Sequence, residues 1–260
     1  MVAILPTGNR SGEGTKMTPY TKEFSCKTNI LHNVEFARTF NRAGNEETLF
    51  IDIYMPEYDN QKKRTLMFVH GGGFMMGNHR DQRYIVALAK IFSSMGYVAV
   101  SPDYCLYSPE QADPLKSNGK WPFYTHAARL AARELLMARD YLVQHSTLLG
   151  LEPDNISIIG GSAGGMAANI ACTDSFRSLV SLWGAPKDLY RISDYPPTLI
   201  VHGTCDLSVP FSHAEALHHA LSTNGKYSSL IALENAGHTP SDRMDEFIDP
   251  MIDFFNRFMR

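Results

Sequence analysis

An α/β fold built on a mostly parallel sheet is what this sequence predicts, and three observations predict it. Short apolar, β-rich runs alternate along the chain with segments of helical periodicity. Those runs read as near-continuous hydrophobic stretches, as strands covered by helices on both faces do. Several of them end in glycine-rich turns carrying a serine, a histidine or an aspartate, and the carboxyl ends of parallel strands are where such folds place their chemistry.

Taken in order, residues 1–30 are polar and irregular and are expected to form an N-terminal arm ahead of a single domain over 31–260. Asn33–Phe40 and Thr48–Met55 alternate in character around Asn41–Glu47, a turn containing Gly44, which reads as an antiparallel hairpin. Six compact runs follow: Thr65–Val69, Tyr97–Ser101, Asn155–Ile159, Leu179–Trp183, Thr198–Val201 and Ser229–Leu233. The sheet should therefore have about eight strands. Helical periodicity occupies Arg83–Met95, Phe123–Leu149, Ala163–Cys172, Ser212–Ser222 and Met244–Phe258. Only a Pro-containing loop joins the sixth strand to the seventh, so little lid is expected there. No internal repeat, low-complexity tract or long linker divides the chain.

Composition narrows the function. The chain has 260 residues, 44% hydrophobic and 20% charged, a globular balance that excludes disordered and fibrous classes. Lys and Arg number 24 against 27 Asp and Glu, a formal charge of −3, which supplies no global attraction to nucleic acid. Cys26, Cys105, Cys172 and Cys205 are scattered without zinc-like spacing, so free thiols in a reducing compartment are expected and no metal. Met1–Tyr20 lacks a basic segment followed by an apolar core, so no signal peptide is expected. The location implied is cytoplasmic, or secreted if a leader was removed from the native chain. No apolar run approaches the ~18 residues that a membrane span needs.

The strand ends carry the chemistry. The third ends in His70-Gly71-Gly72-Gly73-Phe74, the fifth in Gly160-Gly161-Ser162-Ala163-Gly164-Gly165, the seventh in His202-Gly203-Thr204-Cys205-Asp206, and the eighth in Asn235-Ala236-Gly237-His238. Gly-x-Ser-x-Gly alone matches by chance in roughly one chain of this composition in ten, so its strand-to-helix context has to carry it. The three glycines after His70 let consecutive N–H groups converge on a cavity, where with the Ala163 N–H they suit a developing oxyanion. A phosphate-cradling loop is the alternative, but the G-K-[ST] ending is missing. A serine nucleophile needs a base, and that base needs an acid to fix its tautomer. Of ten histidines, His238 stands on a short loop after the last strand, while His70 and His202 read as structural hydrogen-bonders. His213, His218 and His219 fall in a helix without H-E-x-x-H spacing. Asp206 has a turn or helix-cap reading besides the catalytic one.

On H-G-G-G-F (70–74), D-Y-C-L (103–106), G-G-S-A-G-G (160–165), H-G-T-C-D (202–206) and A-G-H (236–238), the chain resembles α/β-hydrolase serine carboxylesterases. It is similar to the hormone-sensitive-lipase-like and bacterial feruloyl- or acetyl-esterase-like groups across about residues 33–258. The resemblance implies the α/β-hydrolase fold, Ser162 as nucleophile, His238 as base and Asp206 as its orienting acid. It further implies Gly72, Gly73 and Ala163 as oxyanion donors, with no cofactor. Cys105 stands where that family's motif has Arg.

The pocket is read from aromatic residues near the motifs. Phe74, Tyr107, Trp121 and Trp183 are candidate substrate contacts, Trp183 and Phe74 as walls on the acyl side, with ordinary packing as the alternative. Cys205 reads as a buried, inert thiol. The expected activity is hydrolysis of short-chain or aromatic esters, acetyl or hydroxycinnamoyl in type. The alternatives are an arylformamidase-like amide or formamide hydrolase, a small aminopeptidase, and a ligand-binding protein that does no chemistry. The partner is then a small-molecule ester, with no nucleic acid and no membrane, and a homodimer is the open option for assembly.

Overall fold

The computed structural model describes residues 27–57, 63–117, 119–173, 176–189 and 191–259. Eight strands form one sheet: β1 (Thr28–Phe40), β2 (Glu46–Pro56), β3 (Lys63–Val69), β4 (Val98–Pro102), β5 (Leu151–Gly161), β6 (Leu179–Leu182), β7 (Thr198–Gly203) and β8 (Ser228–Leu233). Their order is β1-β2-β4-β3-β5-β6-β7-β8. β2 runs antiparallel to both β1 and β4, and every other pairing is parallel. The hairpin, the strand count and the parallel core are as the sequence predicts.

Side-chain alternation on the strands divides the interior into two layers. On β3, Met67 and Val69 face one layer and Leu66 and Phe68 the other. The first layer is closed by α3 (Lys120–Gln144), α5 (Ala163–Ala171) and α6 (Phe211–Thr223). Its helices meet through small residues, Ala127, Ala128 and Ala131 beside Ala167 and Ala168, which lets them approach closely. The second layer is closed by α1 (Arg83–Ser94) and α7 (Ile248–Phe258), where Phe92 and Phe255 meet edge to face at 5.4 Å. Burying each such phenyl ring contributes about 2–3 kcal/mol.

Several boundaries differ from the sequence expectation, each for a local reason. β1 begins at Thr28, inside the expected arm, because it pairs with β2 as far as Pro56; residues 1–26 of that arm lie outside the described residues. The helix expected over Phe123–Leu149 starts earlier, at Lys120, and breaks at His145 before a short turn, α4 (Ser146–Leu149). The C-terminal segment opens as a 3-10 helix, Ser241–Glu246, and becomes α-helical only at Ile248. One helix was not expected: α2 (Pro109–Lys116), between the expected strand Tyr97–Ser101 and the expected helix Phe123–Leu149. Its signal is present in Ser108-Pro109-Glu110-Gln111. The Ser108 side chain accepts from the Gln111 N–H, Gln111 accepts from the Ser108 N–H at 2.8 Å, and proline opens the helix. Between β6 and β7 the described residues hold one 3-10 turn, Ile192–Asp194, so the expected minimal lid is what is found. Among the described residues no helix is long and apolar enough to cross a membrane.

Candidate active site

β5 runs without a break into Ser162, whose φ of 55° and ψ of −122° lie outside the ordinary range for a side-chain-bearing residue, and α5 starts at Ala163. Holding serine there costs about 1–3 kcal/mol. The turn is this tight because the end of β3 crosses it: a Cβ on Gly164 would stand 2.3 Å from the His70 carbonyl oxygen and 2.5 Å from that of Val69. Only glycine fits.

Asp206 sits on the turn after β7. Its Oδ1 accepts from the N–H groups of Ser208 (2.8 Å) and Val209 (2.9 Å), which aims Oδ2 at the His238 loop. That loop is tied to the same turn by the Cys205 N–H donating to Ala236 O at 2.9 Å. Asp206 Oδ2 lies 2.7 Å from His238 Nδ1, and His238 Nε2 lies 2.8 Å from Ser162 Oγ. A carboxylate at Nδ1 demands the Nδ1–H tautomer and so leaves Nε2 free to accept the serine proton. Burial alone would raise the Asp206 carboxyl. Hydrogen bonds from His202, His238 and the Val209 N–H outweigh burial and hold it well below the usual carboxylate range. His202 Nε2 lies 3.2 Å from Asp206 Oδ2 and 2.9 Å from Val209 O, so it braces the acid without reaching the serine.

Gly72, Gly73, Ser162, Ala163 and His238 line one cavity of about 460 Å³. Among the described residues the N–H groups of Gly72, Gly73 and Ala163 meet no backbone carbonyl, and that of Ala163 opens α5, at the positive end of its dipole. Met75, Tyr124, Met166 and Val209, all packed with the first layer, give the cavity apolar lining, and Gln82, Tyr84 and Thr239 add polar groups.

The four aromatic candidates fall elsewhere. Phe74, with positive φ, turns its ring back between Tyr104 and Tyr124 and is 1% exposed. Tyr107 packs on Phe123, ring centroids 5.2 Å apart. Trp183 is fully buried, edge-on to Tyr84 and Phe247. Trp121 lines a separate shallow groove that shares Tyr124 and Met166 with the main cavity. Large rings close to the sheet gain more from burial than from lining a solvent-filled cleft. The cavity contacts that sequence reasoning missed had positional signals: Met166 is one helical turn beyond Ser162, and Gln82 and Tyr84 begin the helix that follows the glycine loop. Cys205, read as buried, is exposed, because the turn points it outward while its neighbour Asp206 points in.

His70 is structural, as read. Its Nδ1 lies 2.9 Å from Gly71 O, its ring stacks on Tyr104 at 4.2 Å, and burial pushes it down to about 4, so it is neutral near pH 7. Among the described residues no group of three or more His, Cys, Asp or Glu could hold a metal ion.

Gly72 offers a direct check on the loop. Its φ is 102°, and a Cβ there would stand 1.9 Å from Met76 O. Gly72→Ala must therefore rebuild the turn, and a reaction that needs this N–H for a developing oxyanion is expected to slow about 10²–10³-fold. Retained turnover would place the donors elsewhere.

Comparison with known proteins adds the following. The BD-FAE family matches residues 51–181, and the prolyl oligopeptidase family matches residues 185–260. Lipase 2 of Moraxella sp. (strain TA144) is 26% identical over 151 residues, 55% of this chain and 30% of its own length. Carboxylesterase patB of Penicillium expansum is 25% identical over 154 residues, 54% of this chain and 26% of its own. The chain thus spans less than a third of the length of these curated relatives. Among solved structures, esterase 2 of Thermogutta terrifontis phosphorylated by paraoxon superposes with a TM-score of 0.66 at 19% identity, covering 92% of this chain and 96% of that one. Its butyrate-bound form gives 0.65 at 19%, covering 85% and 93%.

Proposed function

The chain belongs to the BD-FAE family, and on that premise we propose that it is a serine carboxylesterase acting on short-chain or aromatic acyl esters of the acetyl or hydroxycinnamoyl kind. The observation that carries this reading is the unbroken relay of Ser162 Oγ, His238 and Asp206, at 2.8 and 2.7 Å, opening on a cavity lined by Gly72, Gly73 and Ala163, whose N–H groups meet no backbone carbonyl among the described residues. Ser162 attacks the ester carbonyl as His238 takes its proton. Asp206 holds the imidazole and steadies its positive charge, and the N–H groups of Gly72, Gly73 and Ala163 receive the oxyanion. His238 then protonates the leaving alcohol, and water repeats the sequence to free the acid.

The cavity supports a compact acyl group. Met75, Tyr124, Met166 and Val209 suit a butyryl chain or a single ring, and the Thermogutta esterase has been solved with butyrate bound. Amide or formamide hydrolysis is the second reading, favoured by the prolyl oligopeptidase match over 185–260. That stretch supplies Asp206 and His238, which serve either leaving group.

Initial rates on p-nitrophenyl esters from acetate to palmitate, beside methyl ferulate and N-formylkynurenine, test the proposal. Rates should peak at acyl chains of about two to four carbons or at ferulate, since a cavity of this volume takes a drug-fragment-sized group. Cleavage of the formamide alone would move the assignment to amide hydrolysis, and silence throughout would overturn it.

A further inference from the structure

The Gly71–Gly77 loop has two backbone bonds of its own, from the Met75 and Met76 N–H groups to Gly72 O at 3.1 and 3.0 Å, and is otherwise held by residues outside it. Gly72, Gly73, Phe74 and Gly77 have φ of 102°, 64°, 63° and 93°, a run with little preference for any one conformation and, at Phe74, a strained one. Four hydrogen bonds from outside the loop fix it and the strand end before it. The Gln82 side-chain oxygen accepts from the Gly71 N–H at 2.8 Å. The Tyr104 hydroxyl reaches His70 O at 2.9 Å and Gly71 O at 3.1 Å, and its ring stacks on His70. The Tyr107 N–H donates to Phe74 O at 2.8 Å. Three of the four thus come from Tyr104–Tyr107, a strap that is itself irregular.

The strap is gripped in the middle. Glu134 of α3 accepts the Cys105 N–H at 3.0 Å, and Arg42, from the β1–β2 turn, donates to the Cys105 carbonyl at 3.1 Å. Arg42 and Glu134 also pair through two bonds of 2.8 and 2.9 Å, with side chains 8% and 5% exposed. The guanidinium lies 5.5 Å from the Tyr107 ring centre. Both backbone hydrogen-bonding groups of Cys105 are therefore held by one buried ion pair whose members lie 92 residues apart in the chain. A planar fork can bond Glu134 and a carbonyl together, which an ammonium cannot do as well.

We propose that Arg42 is a positioning residue for the reaction, acting with Glu134 through the Tyr104–Tyr107 strap to set the oxyanion N–H groups of Gly72 and Gly73. The inference rests on the esterase reading. It makes the β1–β2 turn, which does not line the cavity, part of what sets turnover. Ground-state ester binding does not need those donors in register, whereas the tetrahedral oxyanion does.

The test uses p-nitrophenyl butyrate and the full chain. Arg42→Met alone strands a buried carboxylate and risks unfolding, so the main variant is Arg42→Met/Glu134→Met, which replaces the pair with apolar groups and is expected to fold. Thermal melts establish the fold. kcat should fall about tenfold or more with KM within about twofold, and inhibition by a trifluoromethyl ketone should weaken by the factor lost in kcat/KM. Arg42→Lys keeps the charge, and its kcat should lie between the two. A folded double variant with wild-type kcat overturns the proposal. If the double variant does not fold, Arg42→Lys with wild-type kcat overturns it. A wild-type protein that cleaves no ester overturns the esterase reading itself, a result distinct from either.

Discussion

Ser162→Ala is expected to lower kcat/KM for butyrate esters about 10⁶-fold while leaving the melting temperature nearly unchanged. The rate loss follows from removing the group that bonds to the carbonyl. His238 and Asp206 then have nothing to activate, and only binding and the oxyanion donors remain. The stability result follows from the backbone. At φ 55° and ψ −122° alanine carries the same strain as serine, and the turn's own hydrogen bonds, Ser162 N–H to Leu182 O and Met166 N–H to Ser162 O at 3.0 Å each, do not involve the hydroxyl. Ser162→Gly separates the two effects. It is equally inactive but relieves a strain of about 1–3 kcal/mol, less the flexibility glycine adds to the unfolded chain. A rise in melting temperature of about 2–4 °C per kcal/mol retained is expected for a domain of this size. A serine whose loss costs activity and whose replacement by glycine stabilises is one that the fold strains for function. Stabilisation without loss of activity would place the nucleophile elsewhere.

What could be read in advance here depended on whether the signal was local. Ser162, the glycine loop, Asp206 and His238 each stand at the end of an apolar strand, and strand ends in a parallel sheet converge on one edge, so local pattern and topology pointed to the same place. Their distances were not legible. The 2.7 and 2.8 Å contacts depend on the Asp206 carboxylate being turned by two backbone N–H groups. Of the pocket aromatics, Phe74, Tyr107 and Trp183 follow the packing alternative, because proximity in sequence to a motif does not decide which way a ring points. Phe74 follows the glycines but is folded back by its own positive φ, and Trp183 leaves β6 into the layer under α1 and α7. Gln82 and Tyr84 went unseen because their signal is positional, at the start of the helix that follows the glycine loop, and not a motif. Arg42 was invisible for a different reason. Its partner, Glu134, lies 92 residues away, and an ion pair between distant elements leaves no periodicity.

Asp206→Asn is expected to lower kcat about 10⁴-fold, although it is nearly isosteric. The asparagine oxygen can keep the N–H groups of Ser208 and Val209, which places its NH₂ where Oδ2 now faces His238 Nδ1 and His202 Nε2. A donor at Nδ1 favours the Nε2–H tautomer, and the imidazole then has no lone pair for the Ser162 proton. Because serine, histidine and aspartate act as one unit, Ser162→Ala/Asp206→Asn should be no slower than Ser162→Ala alone; a further multiplicative loss would show the two acting independently. The same substitution changes acid stability in a definite direction. The native carboxyl is held below its unfolded value of about 3.9, so its stabilising contribution is complete above that pH and is lost as pH falls from about 4 through the lower native value. The asparagine does not titrate. The difference between the melting curves of the two proteins should therefore shrink below about pH 4, as the wild type alone loses the contribution. A difference that grew on acidification would mean the carboxylate is destabilised in the native site, which is incompatible with four donors converging on it.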